Sequence, residues 1–202
     1  MVRITVATPL IAALALAACG PKAEQKTDAA ADSVEQGMEA TGSAVSNAAS
    51  DVAAAVTPTP TGQDFLNTAA KSDAFEIAAA KLAQTNGASA DVKAFAAEMV
   101  KAHTDSTAKM KAAASNAQPA LIPDAALTAD QQEDLAELGK LKGAKFDEEY
   151  IDGQVDAHQD ALALMQTYAS NGEVGPLRDA AGQIAPVVSH HLDQAKALDK
   201  TR

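Results

Sequence analysis

Four side chains in this sequence have the chemistry to hold a transition metal and recur where a helical period turns them inward: Glu76, His103, His158 and His191. At 3.6 residues per turn, His103 shares a face with Ala96, Met99, Val100 and Met110. His158 shares one with Ile151, Val155 and Leu162, and His191 with Ile184, Val188 and Leu198. Glu76 lies on the stripe of Phe65, Ala69, Ala80 and Ala83. Three imidazoles and a carboxylate suit zinc, copper, nickel or iron, so the cofactor such a cluster would take is a divalent transition metal. The competing reading is structural: each side chain is a buried polar group satisfied by Tyr150, Gln154 or a neighbouring helix. Interior histidines commonly play that part, which makes it the first expectation and the metal site the alternative. His190 falls about 100° around the helix from His191, on the more exposed side. A di-iron oxidase needs Glu-x-x-His on two helices. The residues three before His103, His158 and His191 are Val100, Val155 and Val188, so that spacing fails.

For the four side chains to meet, four helices must carry them at matching heights. Thr61 and Asp64 form a capping pair that opens a first helix, and Asn86-Gly87 stops it. Ser89 caps a second, which Pro119 and Pro123 end. Thr128 and Gln131 make a capping box for a short helix through Leu135 and Leu138, broken at Gly143. A third long helix runs from about Phe146 to Ala169 and closes at Asn171-Gly172. Pro176 suits the first turn of a last one that continues to about Leu198, with Pro186 inside it. No segment sustains a period of two. The expected fold is all-α: an antiparallel four-helix bundle with short hairpin loops and one extra short helix in the long connection between helices two and three. At the helical rise, Glu76 and His103 lie about 16 and 22 Å from the first hairpin, and His158 and His191 about 20 and 26 Å from the second. Each pair therefore matches to about one turn. Asp147 stands near a helix start, where capping or a dipole contact is its ordinary use.

The N-terminus carries a different chemistry. Arg3 precedes an uncharged apolar run from Ile4 to Ala18, too short to span a membrane comfortably and of signal-peptide length. It ends in Leu16-Ala17-Ala18-Cys19, which resembles the bacterial lipobox. That resemblance implies cleavage before Cys19 and lipidation of its thiol, with several acyl chains making a stable anchor. Residues 1–18 are thus expected to be a signal peptide, and 19–62 a lipidated cysteine with a low-complexity tether ending in Thr57-Pro58-Thr59-Pro60. Residues 63–200 hold the helical domain. Gly20 replaces the Asp that keeps some lipoproteins at the inner membrane, so the expected address is the outer membrane, facing the periplasm.

Composition narrows the function. Cys19 is the only cysteine, which leaves no intramolecular disulfide and no thiol chemistry after lipidation. A net charge of −11 argues against a nucleic-acid partner, because phosphate binding needs clustered Lys and Arg. With 3% aromatic residues and abundant Ala, the core must be close-packed helices. Glu148, Glu149, Asp152 and Asp156 form a solvated acidic face without calcium-loop spacing. No nucleophile, phosphate loop or acid–base carboxylate pair is marked, so catalysis is not the expectation.

The ordered motifs resemble a known family. Phe65…Glu76…Ala83 and Val92-Lys93-x-Phe95-Ala96-x-x-Met99-Val100-x-x-His103 are similar to its first two helices. Phe146-Asp147-x-x-Tyr150, Gln154-Val155-x-x-His158 and Pro186-x-Val188-x-x-His191-Leu192 are similar to its last two. This is the bacterial domain of unknown function numbered 4142, described as a predicted outer-membrane protein with a ferritin-like fold. The resemblance spans about Asp64 to Leu198 and departs at Ala102, where the family has Asp before the helix-two His. It implies a fold and a compartment but no activity. Two functions follow: an envelope lipoprotein with a non-catalytic binding or support role and no identified protein partner, or a metal-binding, redox-protective bundle built on the Glu/His cluster.

Overall fold

In the computed structural model, five helices account for most of residues 58–201, the part of the chain that is described; these lie in the unit Asp51–Arg202. The expected signal peptide, Cys19 and the tether up to residue 57 lie outside the described residues. The helices are α1 (Gly62–Asn86), α2 (Ala90–Ser115), α3 (Ala129–Lys140), α4 (Ala144–Asn171) and α5 (Gly175–Asp199). The described residues form no strand.

Local chemistry sets the ends. Thr61 caps α1 by accepting the Asp64 N–H, and Ser89 caps α2 by accepting from Val92. Thr128 and Gln131 form a full capping box on α3. Gly143 does more than interrupt a helix. It lies three residues beyond the end of α3, at φ 67°, and is the residue from which α4 starts. That left-handed backbone favours glycine. Its N–H donates to the Asn86 carbonyl at 2.8 Å, tying the long connection to the α1–α2 turn. Asp147 ties α4 to the same turn. Its carboxylate accepts from the N–H groups of Ala88 (3.1 Å) and Ser89 (2.8 Å). Asp147 is buried, and each hydrogen bond to a charged partner contributes more than a neutral one. Asp147→Ala is therefore expected to lower stability by about 3 kcal/mol, read in urea unfolding, with Asp147→Asn recovering part of the loss. An unchanged midpoint in the alanine variant would show the clamp to be idle.

α1 packs against α2 and α4 against α5, each pair joined by a short turn (residues 87–89 and 172–174). α2 also packs on α5 and α1 on α4, so each long helix touches two others. α3 buries no residue fully and leans Leu135 and Leu138 on the neighbouring core.

The apolar interior is divided in two. One cluster holds Phe65, Leu66, Met110, Met165, Tyr168, Leu177, Ile184 and Val188. Phe65 and Tyr168 stack there at 3.8 Å between ring centroids. α1 begins close against this end: a Cβ on Gly62 would come within 2.5 Å of the Val174 side chain. The second cluster holds Ala80, Val92, Phe95, Met99, Phe146, Tyr150 and Ile151. On every long helix buried polar residues lie between the two clusters. They are Asp73 and Glu76 on α1, His103 and Ser106 on α2, Gln154 and His158 on α4, and His191 on α5. This polar layer between two dry halves is what the fold positions.

Candidate metal centre

Of the side chains singled out in the sequence, His103, His158 and His191 are brought together. One ring nitrogen from each lies within 4.8 Å of the others, and all three residues are buried. Their ring centroids stand 5.5–6.1 Å apart. His190 is exposed, on the outer side of α5.

Glu76 is in the same buried layer, but its carboxylate is not part of that convergent set. It accepts a hydrogen bond from the Gln154 amide instead. Burial pushes its pKa up and the Asp73 charge adds to this, against the opposing pull of His103 and Gln154. The carboxylate that serves a histidine is Asp73, which sequence reasoning did not select. Its Oδ1 is 2.8 Å from His103 Nδ1, and its Oδ2 accepts from the Thr107 hydroxyl at 3.0 Å. Asp73 lies on the stripe of Ala69, Glu76 and Ala80. A charged residue on an apolar stripe was the available signal.

For His103 and His158 the outer bonds fix which nitrogen faces inward. The Gln154 carbonyl has no proton to give, so His158 Nδ1, 2.9 Å away, must donate. His103 Nδ1 likewise donates to the Asp73 carboxylate. His191 Nε2 faces Glu98 Oε1 at 4.0 Å. What remains is Nε2 of His103, Nε2 of His158 and Nδ1 of His191, and each is buried without a hydrogen-bond partner among the described residues. A purely structural role predicts two satisfied nitrogens per ring. Here only one side of each ring is accounted for. Tyr150 Oη and Gln154 Oε1 are also buried and without a partner, so Tyr150 is not the acceptor or donor that satisfies the histidines.

Charge supports the same assignment. Burial first, then the positive charge of protonated His103, holds the His158 pKa down to about 4. His191 is likewise pushed down to about 4, by burial and by the other two imidazoles. Both are neutral at pH 7, with a lone pair available. His103 moves the other way. Burial lowers its pKa, but the Asp73 hydrogen bond and the charges of Glu76 and Asp73 outweigh that and raise it.

These shifts predict how the metal-free protein responds to acid. Unfolded, His158 and His191 titrate near pH 6.5. Between about pH 6.5 and 4 the unfolded chain binds protons that the native chain does not, so stability falls as pH drops through that window. The loss is on the order of 2–3 kcal/mol per imidazole. His103 contributes in the opposite sense, stabilising below pH 6.5 and losing that contribution as pH rises through its raised pKa. Melts across pH 7 to 4 should show the fall, and the His158→Ala variant should show a shallower one. Parallel curves for the two proteins would refute the assignment.

An all-helical fold carrying a buried layer of three half-satisfied histidines is the class of protein that the geometry defines. Residues 47–198 match the family model of a domain of unknown function, DUF4142, and the chain belongs to that family. Among solved structures it is similar to one titled "CopM in the Cu(I)-bound form", at 18% identity and a TM-score of 0.58. The match covers 70% of this chain and 97% of that one, and shows a shared fold. No curated protein sequence matches the chain.

Proposed function

We propose that this protein is a periplasmic copper-binding lipoprotein. Its four long helices form an antiparallel, ferritin-like bundle, and His103, His158 and His191 hold one ion in its polar layer. The observation that carries the reading is the convergence of three buried imidazoles, each with one inward nitrogen that has no partner, while hydrogen bonds hold the outer nitrogens of His103 and His158. Outer hydrogen bonds of this kind fix tautomer and orientation in metal-binding histidines. The contacts of α1 with α2 and α4, and of α5 with α2 and α4, support the bundle arrangement.

The donor set favours a singly charged ion among the transition metals. All three donors are neutral nitrogens in a buried layer. The cost of burying charge grows with its square, so a divalent ion pays about four times the desolvation cost of a monovalent one. One carboxylate, Asp73, balances a single positive charge from behind the His103 ring. Cu(I) accepts imidazole donors readily and is satisfied by few of them. The similar structure being titled as Cu(I)-bound is consistent with this choice. Metal–nitrogen bonds of about 2.0–2.1 Å require the three rings to close in by roughly 1 Å on loading. Binding, not turnover, is the role this site supports. Competition for Cu(I) against a chromogenic chelator should find one ion per chain in the wild type and none held by a His103→Ala/His158→Ala double variant. Equal retention by both proteins would remove the site.

Lipid anchoring through Cys19 completes the proposal and rests on the lipobox-like Leu16-Ala17-Ala18-Cys19. It would hold the helical domain at the outer membrane, on the periplasmic side, with the membrane as its standing partner through the acyl chains. Cys19→Ser should move the protein from the membrane to the soluble periplasmic fraction. An intact mass showing an unacylated mature wild type would refute this part alone.

A further inference from the structure

The three imidazoles come from α2, α4 and α5, so the side of the centre that no histidine covers faces α1. The polar groups of α1 at this level are engaged elsewhere: Asp73 with His103 and Thr107, and Glu76 with Gln154. A metal with three protein ligands in a bundle keeps a position for an outside ligand unless a fourth side chain closes it. At this place the structure has a cleft of about 450 Å³. One wall is α1 from Thr68 to Glu76, and the cleft borders both His103 and His191. The other walls are mostly small or apolar, Ala102, Ala161 and Val188 among them. Val187, 40% exposed, lies on its lining and marks an opening to the surface.

We propose that this cleft is a binding site for a small uncharged lone-pair donor, which takes the open position on the bound ion. The inference rests on the copper-binding reading. Charge follows from the α1 wall, where the Asp73 and Glu76 carboxyl groups disfavour an anion. Binding is donation of a lone pair to the metal, with no change of oxidation state and no bond broken in the ligand.

Carbon monoxide is the probe. Added to the Cu(I)-loaded protein, it should give a single C–O stretching band in the infrared that chloride does not displace. Ala161→Leu narrows the cleft without touching a ligand, and should weaken carbon monoxide binding by about tenfold or more, the scale of one overpacked contact. Its affinity for Cu(I) should stay within about threefold of the wild type, since no donor is altered. A protein that loads Cu(I) tightly but forms no carbonyl adduct would overturn this inference and leave the copper site standing. An adduct equally strong in Ala161→Leu, or one displaced by chloride, would also overturn it. Failure to load Cu(I) at all would overturn both readings together.

Discussion

His191→Ala is expected to abolish the stabilisation that metal gives the wild-type protein, whereas His190→Ala keeps almost all of it. The two residues are neighbours in sequence and point about 100° apart, so one reaches the polar layer while the other is exposed. An ion that binds only the native state stabilises it by mass action, by about 4 kcal/mol at a thousandfold excess over its dissociation constant. For a domain of this size that moves the melting temperature by roughly 10 °C or more. His158→Ala should behave like His191→Ala. The gain should also shrink as pH falls through the raised pKa of His103, which must lose a proton to bind, and again near pH 4, where His158 and His191 take up protons and lose their lone pairs. Melts of all three variants and the wild type, with metal and with chelator, provide the check. Equal metal responses in His190→Ala and His191→Ala would contradict the site as described.

Asp73→Ala should weaken metal binding by about 10- to 100-fold although Asp73 is not among the three convergent donors. Its carboxylate holds His103 Nδ1 at 2.8 Å and is itself held by Thr107. Without it the ring is free to turn, and the Nε2 lone pair no longer faces the other two nitrogens. Asp73→Asn keeps an oxygen that can accept the same hydrogen bond and should recover much of the affinity. That rescue separates positioning from charge, because both substitutions remove the charge. If the asparagine variant binds as poorly as the alanine variant, orientation is not what Asp73 supplies.

Much of this arrangement is legible in the residues alone. The caps at Thr61, Ser89 and Thr128 gave the starts of three helices, because a side-chain oxygen followed by an apolar period is a local signal. The three histidines were placed inward by the same 3.6-residue period. What the period could not supply was the partner of each nitrogen. Whether Glu76 or Asp73 meets His103 depends on how far α1 is rotated against α2, and both residues lie on one stripe. Gln154 was visible as a possible partner, but its two ends act separately: the backbone carbonyl holds His158, and the side chain goes to Glu76. The role of Asp147 as a clamp on a turn almost sixty residues away also needed the packing of α4 against that turn. Long-range contacts of this kind leave no periodic trace.

X-ray absorption on the Cu(I)-loaded protein tests the central claim most directly, because it reads the donor atoms themselves. Three nitrogen scatterers at about 2.0 Å, with imidazole multiple scattering and no sulfur shell, are expected for one ion held by His103, His158 and His191. A sulfur-dominated shell, which would place the ion at methionines such as Met99 or Met165, would contradict the account. So would a nitrogen signal that survives unchanged in His158→Ala.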